Sequence, residues 1–457
     1  MEAVVTPAEM AAIDAAAPEP VDVLIERAGA AVARAALQML GGSYGKRVVV
    51  VAGKGNNGAD GRAAARRLEG RGIRCRVIDA AEAPAVLPPA DLVVDAAYGT
   101  GFRGTYSFPR PAHPGTPLLA VDIPSGVDGL TGEAAGRPAR ADRTVTFAAW
   151  KPGLLLADGA DLAGDVTVAG IGLDVTGARA HVVDSAAVSS WLPERPIHTH
   201  KWRAAVRIIA GSPGMTGAAH LSSAAALRAG AGYVRLSTPG SDNDPFAPTE
   251  CVVTPLPLDG WAVPELDGDL DRFGALAIGP GLGRSVETGQ QVRRFVSATL
   301  LPTVIDGDGL AALAERPTEV LGDRPSDAPV VLTPHEGEFT TLTGRRPEPD
   351  RFEAVRSLAA STGAVVLLKG AVTLVARPDG EVLVVTSGDH RLATAGTGDV
   401  LTGILAALLA RGVPAWQAAA GAAHIHGRAG VVACRHGLVA SDLIAHLPVA
   451  LEELQGA

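Results

Sequence analysis

The chain predicts an α/β protein built as two three-layer αβα domains. Three features point there. Helix-like and strand-like segments alternate, several strands are apolar at every position, and a proline-rich polar stretch near the middle separates two such series. Continuously apolar strands belong to parallel sheets covered on both faces. At 457 residues the chain is also too long for one ordinary core.

The first series opens with the alanine-rich helix pattern ERAGAAVARAALQML (26–40) and the β-branched run RVVVVAG (47–53). It continues through helix ADGRAAARRLEGRG (59–72) and strands CRVI (75–78), DLVVDAAYG (91–99) and PLLAVDIPSG (117–126), with a transition after GDVTVAGIGL (164–173). The stretch WLPERPIHTHKW (191–202) is the expected linker, placing the domains at 1–190 and 201–457. The second series runs through VRIIAG, the helix TGAAHLSSAAALRAG (216–230), YVRLSTPG, ALAIGPGLG, TVIDGDGL, VVLTPHEGE and AVVLLKG, with a hairpin expected across TLVARPDGEVLVV (373–385).

Composition narrows the function. Forty basic residues against 49 acidic give a net charge of −9, and no Lys/Arg run tracks a phosphate backbone, so nucleic acid is not an expected partner. The N-terminal stretch lacks a basic flank before an apolar core, and the apolar run 400–410 is too short to cross a bilayer; a cytoplasmic protein without a membrane partner is expected. Cys75, Cys251 and Cys434 form no CxxC pair and read as small buried hydrophobes in a reducing compartment.

The stretch HRLATAGTGDVLTGILAALLARG (390–412) sets glycines and one acid ahead of an apolar helix pattern. Such a turn offers backbone N–H groups and a positive helix end to an anion. Thr394 and Thr397 add hydroxyls, Gly396 and Gly398 permit close approach, and Asp399 falls in the first turn. Alone, Asp399 is equally a helix-start residue favoured by the dipole. Its company favours chemistry, since GPGLG, TPHEGE and LLKG each end a predicted strand, where open parallel sheets place ligands.

This set resembles the ribokinase-like superfamily, whose small-molecule kinases use a glycine-flanked aspartate at this helix start as base. No GxxxxGK[ST] motif occurs. Within that superfamily, 201–447 is similar to the NAD(P)H-hydrate dehydratases. The resemblance implies an ADP-dependent repair in which a hydrated nicotinamide cofactor loses water, with ADP as co-substrate and Mg²⁺ accompanying it. It implies an ADP site formed by Lys369, Gly370, Ala371, Val372 and Thr373 together with His390, Arg391, Leu392, Ala393, Thr394, Ala395, Gly396, Thr397 and Gly398. Ala218, Gly281 and His335 then contact the hydrated cofactor, and Asp399 is catalytic. Where the family often carries Asn-Pro, this chain has GDHRLATAG.

In the first domain, VVVVAGKGNNGADGRAAARRL (48–68) has glycines between strand and helix, but two adjacent amides and an acid exceed what a tight turn needs. Amide and carboxylate oxygens suit hard cations. Taken singly, Asp95, Asp122 and Ser125 at strand ends read as turn residues. GNNGADG, DAAYGTGFRG and DIPSGVDGLTGE in this order resemble the NAD(P)H-hydrate epimerase family over 6–173, with a Rossmann-like fold implied. The resemblance implies potassium held by Asn57, Asp95 and Ser125. It also implies substrate contacts from Asn56, Asn57, Gly58, Ala59, Asp60, Gly99, Thr100, Gly101, Phe102, Arg103, Gly104, Thr105 and Asp122, with Asp122 as the acid/base. Ala59 stands where the family usually has a second glycine, and its methyl suits a helical but not a left-handed backbone.

Other residues invite less. His424 and His426, two apart, do not share a helix face. Asp306 and Asp308 either face the pocket or cap the next helix, and Arg66 and Arg67 belong to a solvated face. The expected function is therefore bifunctional cofactor repair: R and S hydrates are interconverted, and the S form is dehydrated. The expected assembly is a homo-oligomer acting on small molecules. The rivals are a ribokinase-like vitamin or sugar kinase carrying a Rossmann-like binding domain, and a catalytically idle N-terminal module.

Overall fold

The computed structural model describes residues 1–314, 316–322, 324 and 328–456. The chain divides into two compact units, Glu2–Ala180 and His181–Ala457 with Met1.

In the first unit a six-stranded sheet runs in the order Arg74–Asp79, Arg47–Ala52, Leu92–Ala96, Leu118–Val121, Arg143–Phe147 and Asp165–Ala169, parallel throughout. The continuous apolar runs are explained by burial on both sides. Val48, Val50 and Ala52 pack under helices Val21–Leu40 and Asn56–Glu69, while Val49 and Val51 meet Leu87, Ala90 and Phe108 of the connecting chain. Val51 is registered with Asp95, so the carboxyl ends of neighbouring strands lie level and open on one crevice.

The second unit carries a longer sheet. From Val365–Leu368 through Val330–Leu332, Thr303–Ile305, Ala275–Ile278, Ala205–Ile209, Tyr233–Ser237 and Val252–Val253 all neighbours are parallel. The expected hairpin forms between Thr373–Ala376 and Val382–Val385 and joins antiparallel at Val365–Leu368. Helices Gly217–Arg228, Thr397–Ala410, Ala415–Val432 and Ala440–Gln455 pack into one core with Val206, Ile208, Ala277 and Leu367. Being surrounded, Thr397–Ala410 is buried from Val400 to Ala410, so its near-uniform apolarity is a packing requirement rather than a membrane signal. Among the described residues no helix is long and apolar enough to cross a membrane.

One expectation is corrected. Cys75 and Cys251 are half-buried and Cys434 is exposed, so the three thiols are not uniformly core residues. Cys434 lies beyond the end of helix Ala415–Val432, where the chain leaves the core, with its Sγ 3.7 Å from Asp442.

Candidate functional site

The second-unit site is assembled at the carboxyl ends of its parallel strands. Gly396 takes a left-handed φ of 87° immediately before Thr397–Ala410, a conformation glycine adopts without strain, and so turns the chain into the helix start. Thr397 Oγ1 donates to the carbonyls of Leu392 (2.8 Å) and Thr394 (2.9 Å), tying the preceding loop to the helix. Asp399 then stands in the first turn, and burial, reinforced by the charge of Asp306, pushes its carboxyl up to about 7. A carboxyl titrating there is half available as a base at neutral pH.

Lys369 reaches under this helix start. Its Nζ is 2.9 Å from Asp306 Oδ1 and 3.4 Å from Glu338 Oε2. Burial works against its charge, but the two carboxylates more than offset that and hold the ammonium above its ordinary range. Asp306, itself buried, also accepts from Thr333 Oγ1 (2.8 Å) and Thr402 Oγ1 (2.7 Å). Against the cost of burial, Lys369 and these hydroxyls keep its carboxyl below the usual range. The choice left open by the sequence is thus resolved: Asp306 faces the site, while Asp308 begins helix Asp308–Ala312 and binds Arg284 at 2.8 Å.

Of the cofactor-contacting candidates, Ala218 and Gly281 adjoin, since a Cβ added at Gly281 would lie 3.2 Å from the Ala218 methyl. His335 caps helix Glu336–Thr343: its Nδ1 accepts from Gly337 and Glu338 N–H, while the imidazole stays largely exposed. In the nucleotide segments, a Cβ at Gly398 would lie 3.6 Å from Lys369 Nζ, so 369–373 and 390–398 meet there. Arg391 turns away from them to Asp389 and the Cys434 carbonyl.

The first-unit site is a cavity of about 850 Å³ bordered by Asn56, Asn57, Asp60, residues 99–103 and Asp122. Gly58, Ala59 and Asp60 all lie inside helix Asn56–Glu69, which answers the question posed by Ala59: its backbone is helical and the methyl is accommodated. Gly58 is the demanding position, because a Cβ there would fall 1.9 Å from the Gly53 carbonyl oxygen. Asp60 is buried, and that burial together with the nearby Asp122 and Asp14 pushes its carboxyl up to about 8. Asp95, fully buried, accepts from Ser125 Oγ (2.5 Å) and Ser125 N (2.8 Å); burial raises it to about 6 against these bonds. Both amide atoms of Asn57 are buried without a protein partner. Gly104 and Thr105 continue the loop beyond the cavity wall.

Sequence reasoning did not single out Asp14, Thr146 or Lys151, all of which surround Asp122 or its partners. Nothing in a lone WKPG marks its lysine as buried.

The remaining candidates are structural. His424 shares a hydrogen bond with Ser185 Oγ (3.0 Å), and burial pushes both His424 and His426 down to about 4, leaving them neutral. Arg66 and Arg67 pair with Glu26 at the surface.

Comparison with known proteins separates the possibilities that geometry alone leaves. Residues 206–448 match the family profile described as NAD(P)H-hydrate dehydratase, and residues 21–87 and 78–153 match the YjeF-related protein N-terminus. A bifunctional NAD(P)H-hydrate repair enzyme of Moorella thermoacetica is 36% identical, covering 99% of this chain and 97% of its own. This chain belongs to the bifunctional NAD(P)H-hydrate repair enzyme family. The counterpart from Mycobacterium leprae is also 36% identical, over 95% of this chain and 96% of its own. Among solved structures, the ADP/ATP-dependent NAD(P)H-hydrate dehydratase of Bacillus subtilis, co-crystallised with ATP/Mg²⁺, matches with a TM-score of 0.51 at 30% identity, covering 59% of this chain and 97% of that one. As a bifunctional NAD(P)H-hydrate repair enzyme the protein joins an N-terminal epimerase to a C-terminal ribokinase-like dehydratase, and the vitamin- or sugar-kinase reading is not favoured.

Proposed function

We propose that the second unit dehydrates the S hydrate at the expense of ADP, with Asp399 as the base. The observation that carries this is the half-buried Asp399 at the glycine turn, titrating at about 7 beside the Lys369–Asp306 pair. Asp399 takes the proton of the substrate hydroxyl as that oxygen bonds to the terminal phosphorus of ADP, and the bond to AMP breaks. The phosphate ester is a far better leaving group than hydroxide. It departs as inorganic phosphate while the adjacent carbon loses a proton, and the ring double bond of NAD(P)H is restored. Residues 369–373 and 390–398 hold the nucleotide, the helix N–H groups of Thr397–Ala410 absorbing phosphate charge. Ala218, Gly281 and His335 hold the cofactor. The carboxylates nearest this turn, Asp306 and Glu338, are already paired with Lys369, so Mg²⁺ would enter with the nucleotide and would supply charge neutralisation on its phosphate oxygens.

In the first unit, Asp122 moves the proton that interconverts the hydrates. Asp122 gives a proton to the hydroxyl, which leaves as water as the ring nitrogen closes a double bond to that carbon, and water returns on the other face, giving its proton back to the carboxylate. Residues 56–60 and 99–103 hold the substrate, with Gly104 and Thr105 extending their loop. The orphaned Asn57 amide beside the glycine loop fits a potassium site shared with Asp95 and Ser125, and the ion would supply a fixed positive charge there. The free thiols fit the cytoplasm as the place of action, and a homo-oligomer remains the proposed assembly.

Product analysis tests this reading. S hydrate, ADP and Mg²⁺ should yield AMP, phosphate and reduced-nicotinamide absorbance in equal amounts; a stable phosphorylated substrate would overturn it.

A further inference from the structure

Asp122 has two carboxylate oxygens, and the protein treats them differently. Oδ1 receives Lys151 Nζ at 2.7 Å and Thr146 Oγ1 at 3.0 Å. Oδ2 accepts no hydrogen bond from the described residues, and it lies where a Cβ on Gly99 would be 3.6 Å away, beside the glycine loop that borders the cavity.

Lys151 has no donor to spare. Its side chain is 1% exposed, and its ammonium also donates to Thr146 Oγ1 (2.8 Å) and the Phe147 carbonyl (2.8 Å). Three donors meet three acceptors. Lys151 therefore has no N–H left for a substrate.

The backbone fixes the same aim. Asp122 has φ 66°, a left-handed conformation uncommon for a residue with a side chain, and its N–H is tied to the Val145 carbonyl at 2.7 Å. Strain of this kind persists where surrounding contacts over-determine it, and it gathers at sites of function.

We propose that Lys151 and Thr146 clamp Asp122 Oδ1 and so reserve Oδ2 for proton exchange with the substrate, which makes Lys151 a positioning residue of the epimerase. This rests on the epimerase reading of the first-unit cavity. Helix Pro7–Ala15 contributes Asp14 and helix Asn56–Glu69 contributes Asp60 to the same charge cluster, while Lys54 and Arg103 lie elsewhere on the wall. With two further carboxyls close by, removing the Lys151 ammonium leaves the Asp122 charge without its contact partner.

The test follows epimer exchange in the full chain without nucleotide, where dehydration cannot compete. In Lys151→Met the limb of the exchange rate set by Asp122 should move to higher pH by about one unit or more, the size expected for losing an opposite charge at contact distance. Lys151→Arg should leave the limb closer to its original place than Lys151→Met does, and Thr146→Val should move the limb the same way as Lys151→Met by less. A limb that stays in place in folded Lys151→Met, with only the amplitude reduced, overturns the clamp. Should Lys151→Met fail to fold, an unmoved limb in Thr146→Val overturns it instead. The underlying reading fails separately, if Asp122→Asn exchanges epimers at the unaltered rate.

Discussion

Lys369 Nζ sits 2.9 Å from Asp306 Oδ1, and this ion pair lies beneath the helix start that carries Asp399. The two residues are 63 positions apart in sequence, at the ends of different parallel strands. Two threonine hydroxyls complete the coordination of Asp306, so removing Lys369 strands a buried carboxylate, whereas removing Asp306 leaves Lys369 its longer contact with Glu338.

Breaking the pair from one side should therefore cost more than removing both charges. Lys369→Met should lower the stability of the second unit by about 3–5 kcal/mol, and the double variant with Asp306→Asn should recover much of it. Urea unfolding checks this. Equal losses in the single and double variants would contradict it.

Asp399→Asn should slow dehydration by about 10²–10⁴-fold while leaving epimer exchange without ADP unchanged. In the unmodified enzyme the dehydration rate should rise with pH through about 7, as the carboxyl becomes a base. Steady-state rates between pH 5 and 9 give both results.

Asp60 predicts a pH dependence of stability. Its carboxyl titrates from 3.8 in the unfolded chain but at about 8 in the folded one, so between these values the folded state binds more protons. Stability of the first unit should accordingly fall as pH rises from about 4 to 8, and Asp60→Asn should flatten that slope. Thermal melts across the range measure it.

Gly58→Ala should destabilise the first unit by about 1–3 kcal/mol, because the added methyl meets the Gly53 carbonyl. Ala59→Gly should cost no more than about 1 kcal/mol, through helix propensity alone. Denaturant midpoints of the two variants should differ clearly.

The parts of this architecture that were legible in the sequence are those with local signatures. Gly396 before Asp399 announced a helix start, and the apolar runs at 48–52 and 365–368 announced buried parallel strands. Asp306 was ambiguous because its partners Lys369 and Thr402 come from distant segments that only the sheet order brings together. Lys151 was invisible for the same reason: its burial depends on the strand Arg143–Phe147 and the turn at Asp122, not on its neighbours in sequence. Cys434 departs from the expected burial because residue type favours burial while its position just past a helix end does not.

The central claim, two cooperating sites on one chain, is tested most directly by incubating mixed R and S hydrates with the full chain, ADP, Mg²⁺ and K⁺. The account predicts recovery of reduced nicotinamide from the whole mixture, and a halt after the S fraction in Asp122→Asn. A halt at the S fraction with the unmodified chain would contradict it.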